Sequence, residues 1–211
     1  LREEMSQATN EEVVDVVGER LSAAVKSQMI SDVSLGAFLS GGVDSSLIVS
    51  LMQSQSISSI NTYTIGFNEP KFDEAPYAKA IAKHLGTSHT EFYLGADDAV
   101  SIIPNLPEIY DEPFADSSQI PTILVSRMTK QHVSVALSGD GGDELFAGYP
   151  RYQITAGLWA RIEKLPLPAR RFMAYSLRSL SSKGWDNVCS ILLGTVRAKV
   201  NGRRIYRMSE L

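Results

Sequence analysis

Cysteine is almost absent from this chain of 211 residues, with Cys189 the single example. One thiol cannot close an internal disulfide, so a reducing compartment, the cytoplasm, is the expected home. Cys189 itself lies in an apolar helical context and reads as core rather than nucleophile. No apolar run approaches the roughly 20 residues that a membrane-spanning helix requires. The first residues, LREEMSQATNEEVV, are acidic and polar, unlike a secretory signal peptide. The chain opens on Leu1 instead of Met and is expected to be a piece of a longer gene product. Histidine numbers only three. His84 and His89 lack the spacing of a helical metal pair and His132 opens a strand, so all three read as structural.

What is present is ordinary for a globular protein, with 44% hydrophobic and 21% charged residues. The net charge of −4 hides a division. Residues 1–150 hold 8 Lys/Arg against 21 Asp/Glu, a net −13, whereas residues 151–211 hold 12 against 3, a net +9. A nucleic-acid-binding tail would gather its cations into a run; these are scattered, which suits a helical segment facing an acidic body or serving a bound polyphosphate. No nucleic-acid or membrane partner is expected.

Apolar residues recur at helical spacing over Glu11–Met29, and Val33–Leu39 is a short apolar run of the kind a buried strand shows. Asp44 opens a second helix. Ile60–Phe67 predicts a second strand, followed by a turn-rich stretch containing Pro70. Asp73 caps a helix over Glu74–Leu85 that stops at Gly86. Ser88–Leu94 is a third strand, Asp97–Tyr110 a helix broken near Pro104 and Pro107, and Ser117 or Ser118 caps a helix to Lys130. His132–Leu137 is the fourth strand. Strands alternating with helices define an α/β fold: a parallel twisted sheet with helices on both faces. Beyond Tyr152 the strand pattern stops, and residues such as Trp159, Phe172, Ile191 and Leu192 fall in helices interrupted by Pro166, Pro168 and Gly184. The expected division is an α/β nucleotide-binding domain over 1–150 and a helical, basic continuation over 151–211.

Two glycine-rich segments follow strands, where such sheets bind ligands. In Ser40-Gly41-Gly42-Val43-Asp44-Ser45-Ser46, glycines let backbone N–H groups approach an anion, and the helix start adds partial positive charge. No Gly-Lys-Ser/Thr follows, so it is not a Walker A loop; the glycines are adjacent, so it is not a dinucleotide fingerprint. A carboxylate beside phosphates repels them unless a cation intervenes, so Asp44 implies Mg²⁺. If Asp44 and the serines did no more than cap the helix, the Ser-Gly-Gly before them would go unexplained. Leu137-Ser138-Gly139-Asp140-Gly141-Gly142-Asp143-Glu144 repeats the pattern: apolar strand, Ser-Gly, then carboxylates at a helix start. Two such loops on one sheet edge can hold a Mg²⁺–pyrophosphate between Asp44 and Asp143.

The first loop resembles that of the N-type ATP pyrophosphatases, a superfamily that includes GMP, NAD, argininosuccinate and asparagine synthetases and tRNA-thiolating enzymes. The second, LSGDGGDELFAGY, is similar to that of the asparagine synthetase family in particular. Thr64-Ile-Gly-Phe67, Phe72-Asp-Glu-Ala75 and Asp111-Glu-Pro-Phe-Ala-Asp-Ser-Ser118 match in the same order, and the resemblance covers roughly residues 10–152. It implies the adenine nucleotide alpha-hydrolase-like, Rossmann-like fold of the C-terminal synthetase domain. It further implies an AMP-forming carbon–nitrogen ligase that adenylates a carboxylate, aspartate first, and transfers ammonia to give the amide, with ATP and Mg²⁺ required. Carried over by position, Ser40, Gly41, Gly42, Asp44, Ser45 and Ser46 hold the pyrophosphate end of ATP. Phe38, Leu39 and Ile65 line the adenine site, with the Ile65 backbone reading the base, and Ser138 and Gly139 approach from the other side. Asp140, where asparagine synthetases often place a glutamate, relieves the attacking ammonia of a proton, and Asp44 and Asp143 hold the metal.

The resemblance also implies a glutaminase domain in cis in the full-length protein, and it allows a homodimer. The lysines that neutralise pyrophosphate usually lie in the helical region, but Lys164, Lys183 and Lys199 align with none of them. Asp116 and Ser118 are helix caps or substrate-facing groups, and Glu112 is a further candidate. Three alternatives stay open: a relative amidating another carboxylate (a sugar acid, a peptide, a β-lactam-type ring closure), tRNA thiolation, and a nucleotide-binding fragment without activity. A single cysteine and an acidic body speak against thiolation.

Overall fold

The computed structural model describes residues 8–69, 73–116, 118–179, 181 and 183–185. Pro70, Phe72, Ser117, Cys189, Ile191, Leu192 and Lys199, named above, lie outside these. The chain divides into two compact units, Leu1–Phe146 and Ala147–Leu211.

In the first unit, helix α1 (Asn10–Gln28) begins at a reciprocal capping box. The Thr9 N–H donates to Glu12 Oε2 at 2.7 Å and the Glu12 N–H to Thr9 Oγ1 at 3.3 Å. There follow β1 (Leu35–Phe38), α2 (Val43–Ser54), β2 (Asn61–Phe67), α3 (Ala75–Leu85) and β3 (Ser88–Leu94). Helix α3 ends at Gly86 in the left-handed region, φ 75°. The helix expected over Asp97–Tyr110 is three pieces: α4 (Ala96–Ile102), a 3₁₀ turn (Ile103–Asn105) and α5 (Leu106–Ile109). Pro104 and Pro107 each fall in the first turn of a new piece, since neither can donate into the preceding ladder. Helix α6 (Gln119–Thr129), β4 (Val135–Leu137) and α7 (Gly142–Phe146) complete the unit.

Two expected strands are shorter than their apolar runs. Val33 is held in a serine turn, its N–H donating to Ser31 Oγ at 3.2 Å. His132 and Val133 both donate to the Thr129 carbonyl at 2.9 Å, finishing α6 instead of starting β4. Ser118 stands at the head of α6 but its side chain makes no capping bond. The Asp116 carboxylate accepts the Ser118 N–H instead, at 2.9 Å, which holds its pKa below the usual range.

The sheet has the order β3-β2-β1-β4 with every pair parallel. The chain steps from β1 to β2 to β3 in one direction, then returns to set β4 on the far side of β1, a doubly wound topology with its switch point between β1 and β4. Side chains alternate across the pleat. Val25, Ala37, Val49, Met52, Ala78 and Ala82 join α1, α2 and α3 to one face, while Ile65, Ile102, Ile123 and Leu124 join α4 and α6 to the other. Helices therefore cover both faces, as the alternation of elements implies.

On the α6 face Tyr63 stacks on Phe92, ring centroids 6.1 Å apart, and His132 tilts against both. Burial pushes the Tyr63 hydroxyl pKa up. His89 shares a 2.9 Å hydrogen bond between its Nδ1 and Thr62 Oγ1, while its Nε2 is buried without a partner. His89 and His132 thus sit in packing roles. Among the described residues no helix is long and apolar enough to cross a membrane.

The second unit holds α8 (Pro150–Ile162) and α9 (Leu167–Arg178). Pro168 does not interrupt a helix there: it occupies the first turn of α9, where a missing N–H costs nothing. Arg151 lies over the Tyr149 ring, 4.2 Å from its centroid.

Candidate functional site

The first loop leaves β1 at Leu39, whose N–H still donates to the Tyr63 carbonyl at 2.9 Å. Gly41 then adopts φ +84°, and a Cβ there would lie 2.8 Å from Tyr77 Cβ and 3.0 Å from the Ala78 N. Both its conformation and its seat against α3 therefore demand glycine. The serines bind one another: the Ser40 N–H donates to Ser45 Oγ at 3.2 Å, and the two hydroxyls lie 3.0 Å apart. Ser46 commits its hydroxyl hydrogen to the Gly42 carbonyl at 2.6 Å. Gly42 caps α2 with extended backbone, and Asp44 stands in the first helical turn.

The second loop leaves β4, β1's neighbour on the other side, and meets the first directly. A Cβ on Gly139 would fall 2.6 Å from the Ser45 N and 2.8 Å from the Asp44 carbonyl carbon. One on Gly142 would fall 2.5 Å from Asp44 Cγ. The glycines of one loop thus make room for the backbone and carboxylate of the other. Asp140 is tethered inside its loop, its Oδ2 accepting from Ser138 Oγ at 3.1 Å. Asp143 follows Gly142 in the first turn of α7, which brings the two carboxylate-bearing segments together at the switch point. Among the described residues no three His, Cys, Asp or Glu side chains gather at metal-ligand spacing. A pair of carboxylates is nevertheless a usual protein contribution to a magnesium that also takes phosphate oxygens and water.

Beside the first loop lies a cavity of about 860 Å³, lined by Phe38, Leu39, Ser40 and Ile65 together with Tyr63, Thr64, Phe67, Glu69, Glu74, Gly95, Ser118 and Thr122. Four residues expected to be near a ligand thus line one cavity, while Gly139 lies at the contact between the loops and Ser138 bonds to Asp140 within its own loop. Sequence reasoning missed the contribution of α6 through Pro121, Thr122 and Val125. Their spacing of one and three residues was the available signal, but it also marks an ordinary core-facing helix stripe. Glu112 and Asp111 line a separate cavity of about 380 Å³ beside the Tyr110–Phe114 ring pair, whose centroids are 5.4 Å apart.

Fold and site together define a doubly wound parallel α/β domain with two interlocked strand-to-helix glycine loops at its switch point. Residues 16–206 match the asparagine synthase family, and the chain belongs to it. It is 49% identical over 127 residues to a Methanocaldococcus jannaschii protein provisionally named asparagine synthetase [glutamine-hydrolyzing] 2, covering 60% of this chain and 24% of that one. It is 34% identical over 169 residues to asparagine synthetase [glutamine-hydrolyzing] 1 of Bacillus subtilis, covering 80% and 26%. The chain spans about a quarter of the length of these curated relatives. A solved NH3-dependent NAD synthetase from Campylobacter jejuni overlaps 64% of this chain and 60% of its own at TM-score 0.45 and 15% identity, too distant to bear on function.

Proposed function

We propose that this chain carries the ATP-binding part of an amide-forming ligase. A substrate carboxylate oxygen, aspartate's side chain first among candidates, attacks the α-phosphorus of ATP. The bond to the bridging oxygen of pyrophosphate breaks, leaving an acyl-adenylate. Ammonia then attacks the acyl carbon, AMP departs, and the proton passes to Asp140. The observation that carries this reading is the interlock of the two loops, Gly139 and Gly142 lying against Asp44 and Ser45. A carboxylate brought that close to two backbone-rich anion loops is repelled by phosphate unless a cation is shared, so the donor set fits Mg²⁺.

In this reading Ser40, Gly41, Gly42 and Ser45 cradle the pyrophosphate at the start of α2, where the Ser40 and Gly42 N–H groups bond to serine hydroxyls of the same loop and the Ser46 hydroxyl hydrogen to the Gly42 carbonyl. Asp44 and Asp143 would hold Mg²⁺, which neutralises charge developing on the leaving pyrophosphate. The adenine ring would enter the cavity between Phe38, Leu39 and Ile65. Backbone groups of Tyr63 and Ile65 face the β1 edge of β2 by the period of two. The β1–β2 ladder ends at Phe38↔Tyr63 and the Leu39 bond to Tyr63, which leaves the Ile65 edge for a base. A glutaminase domain supplying ammonia in cis, and pairing of two copies, belong to this proposal for the whole protein, as does a cytoplasmic site of action.

ATP–pyrophosphate exchange tests it, with Mg²⁺, without ammonia, and with aspartate beside a panel of other acids. Exchange with aspartate supports the reading, and exchange with another acid alone moves the substrate class. Tight ATP binding with no exchange reduces the chain to a nucleotide-binding piece.

A further inference from the structure

Asp73 stands between two parts of the site that the chain sequence separates. Its Oδ1 accepts at 3.1 Å the N–H of Ala75, the first residue of α3, in a turn that holds the helix start from one place before the N-cap, Glu74. The same oxygen accepts the Phe67 N–H at 3.4 Å, on the last residue of β2. A turn of this kind ordinarily serves its own helix alone; this one also terminates a strand. Gly66 leaves it room, since a Cβ there would come within 3.0 Å of Asp73 Oδ1.

The register gives this bond a particular meaning. Tyr63, Ile65 and Phe67 turn their backbone groups toward the same edge of β2, the edge that β1 occupies. Leu39 closes that edge at Tyr63 (2.9 Å) and Asp73 closes it at Phe67 (3.4 Å). Between them only Ile65 remains, and Leu39, Ile65 and Phe67 all line the large cavity. Asp73 thus takes over where β1 stops and limits the open edge to one residue. Through Ala75, which is fully buried, it fixes the start of α3. One turn further along, Tyr77 and Ala78 form the seat of Gly41 in the first loop.

We propose that Asp73 is a positioning residue that sets the distance between the base-binding edge of β2 and the phosphate-binding loop after β1. The inference rests on the functional reading above and deepens it. A ligand that spans both parts, an adenine nucleotide with its phosphates, feels this coupling; a ligand that touches one part does not. The test measures affinities of the full chain for Mg·ATP, adenosine and Mg·pyrophosphate, in wild type, Asp73→Ala and Asp73→Asn. Asp73→Ala is expected to weaken ATP about tenfold while adenosine and pyrophosphate change less than about twofold. Asp73→Asn keeps a carbonyl oxygen acceptor and is expected to restore ATP to within about twofold of wild type. Equal weakening of all three ligands would show a merely structural turn, and unchanged ATP affinity in Asp73→Ala would show no role; either overturns the inference alone. A wild-type chain that binds none of the three removes the functional reading and this inference with it.

Discussion

Glycines in this chain are required for different reasons, and substitution separates them. At Gly86 a Cβ would meet nothing within 4 Å, yet φ is +75°. Gly86→Ala should therefore cost only the left-handed penalty, about 1 kcal/mol, read as a lower urea midpoint with ligand affinity unchanged. At Gly139 a Cβ would strike backbone of the neighbouring loop, at 2.6 Å from the Ser45 N, and no side-chain rotation relieves that. Gly139→Ala should push the loops apart and reduce ATP affinity by more than about tenfold while far-UV circular dichroism stays native. Asp44→Ala and Asp143→Ala should each remove the Mg²⁺ dependence of ATP binding; dependence persisting in both would sink the two-loop site. His89 titrates on a different axis. Burial pushes its pKa down against the opposing pull of Glu91, and Lys79 adds to the lowering. The unfolded chain takes up that proton near pH 6.5 and the folded chain only at lower pH, so stability is complete above 6.5 and falls below it. Denaturant midpoints at pH 7.5 and 5.5 should differ in that sense, and His89→Asn should narrow the difference.

Among the elements, those with strong local punctuation were legible. The stop of α3 at Gly86 and the strand Ser88–Leu94 follow from residue types alone, whereas the Thr9–Glu12 box, a Thr-x-x-Glu pattern, went unread. Thr9→Ala should lower stability by about 1 kcal/mol without touching ligand affinity, checked by urea titration beside a binding isotherm. The apolar run overshoots β4 because hydrophobicity records burial, not pairing: Val133 is buried while bonded to a helix carbonyl, whereas Val33, ahead of β1, is exposed in its serine turn. The two glycine loops were legible as loops, since strand, Ser-Gly and carboxylate recur in order. That they share one sheet edge was legible too; their direct interlock was not, because it depends on β4 lying immediately beside β1. The role of α6 in the cavity wall was hidden for a similar reason: Pro121, Thr122 and Val125 face a ligand-sized space where a core stripe would show the same spacing.

At the scale of the molecule, the first unit carries the cavity and both loops, so a nucleotide bound there should stabilise that unit cooperatively. At a ligand concentration of 100 times Kd the gain is about 2.7 kcal/mol, seen as a concentration-dependent melting temperature. The pairing of β1 with β4 also has a consequence in time. Ser134 bonds to Ser34 Oγ across a separation of 100 residues, and Gly139 cannot reach Ser45 until that pairing exists. Closing so long a parallel connection is slow relative to forming the helices and the β1–β2–β3 neighbours. Competence to bind nucleotide therefore arises last on the folding route, and in refolding experiments a fluorescent nucleotide should report a later phase than far-UV circular dichroism does.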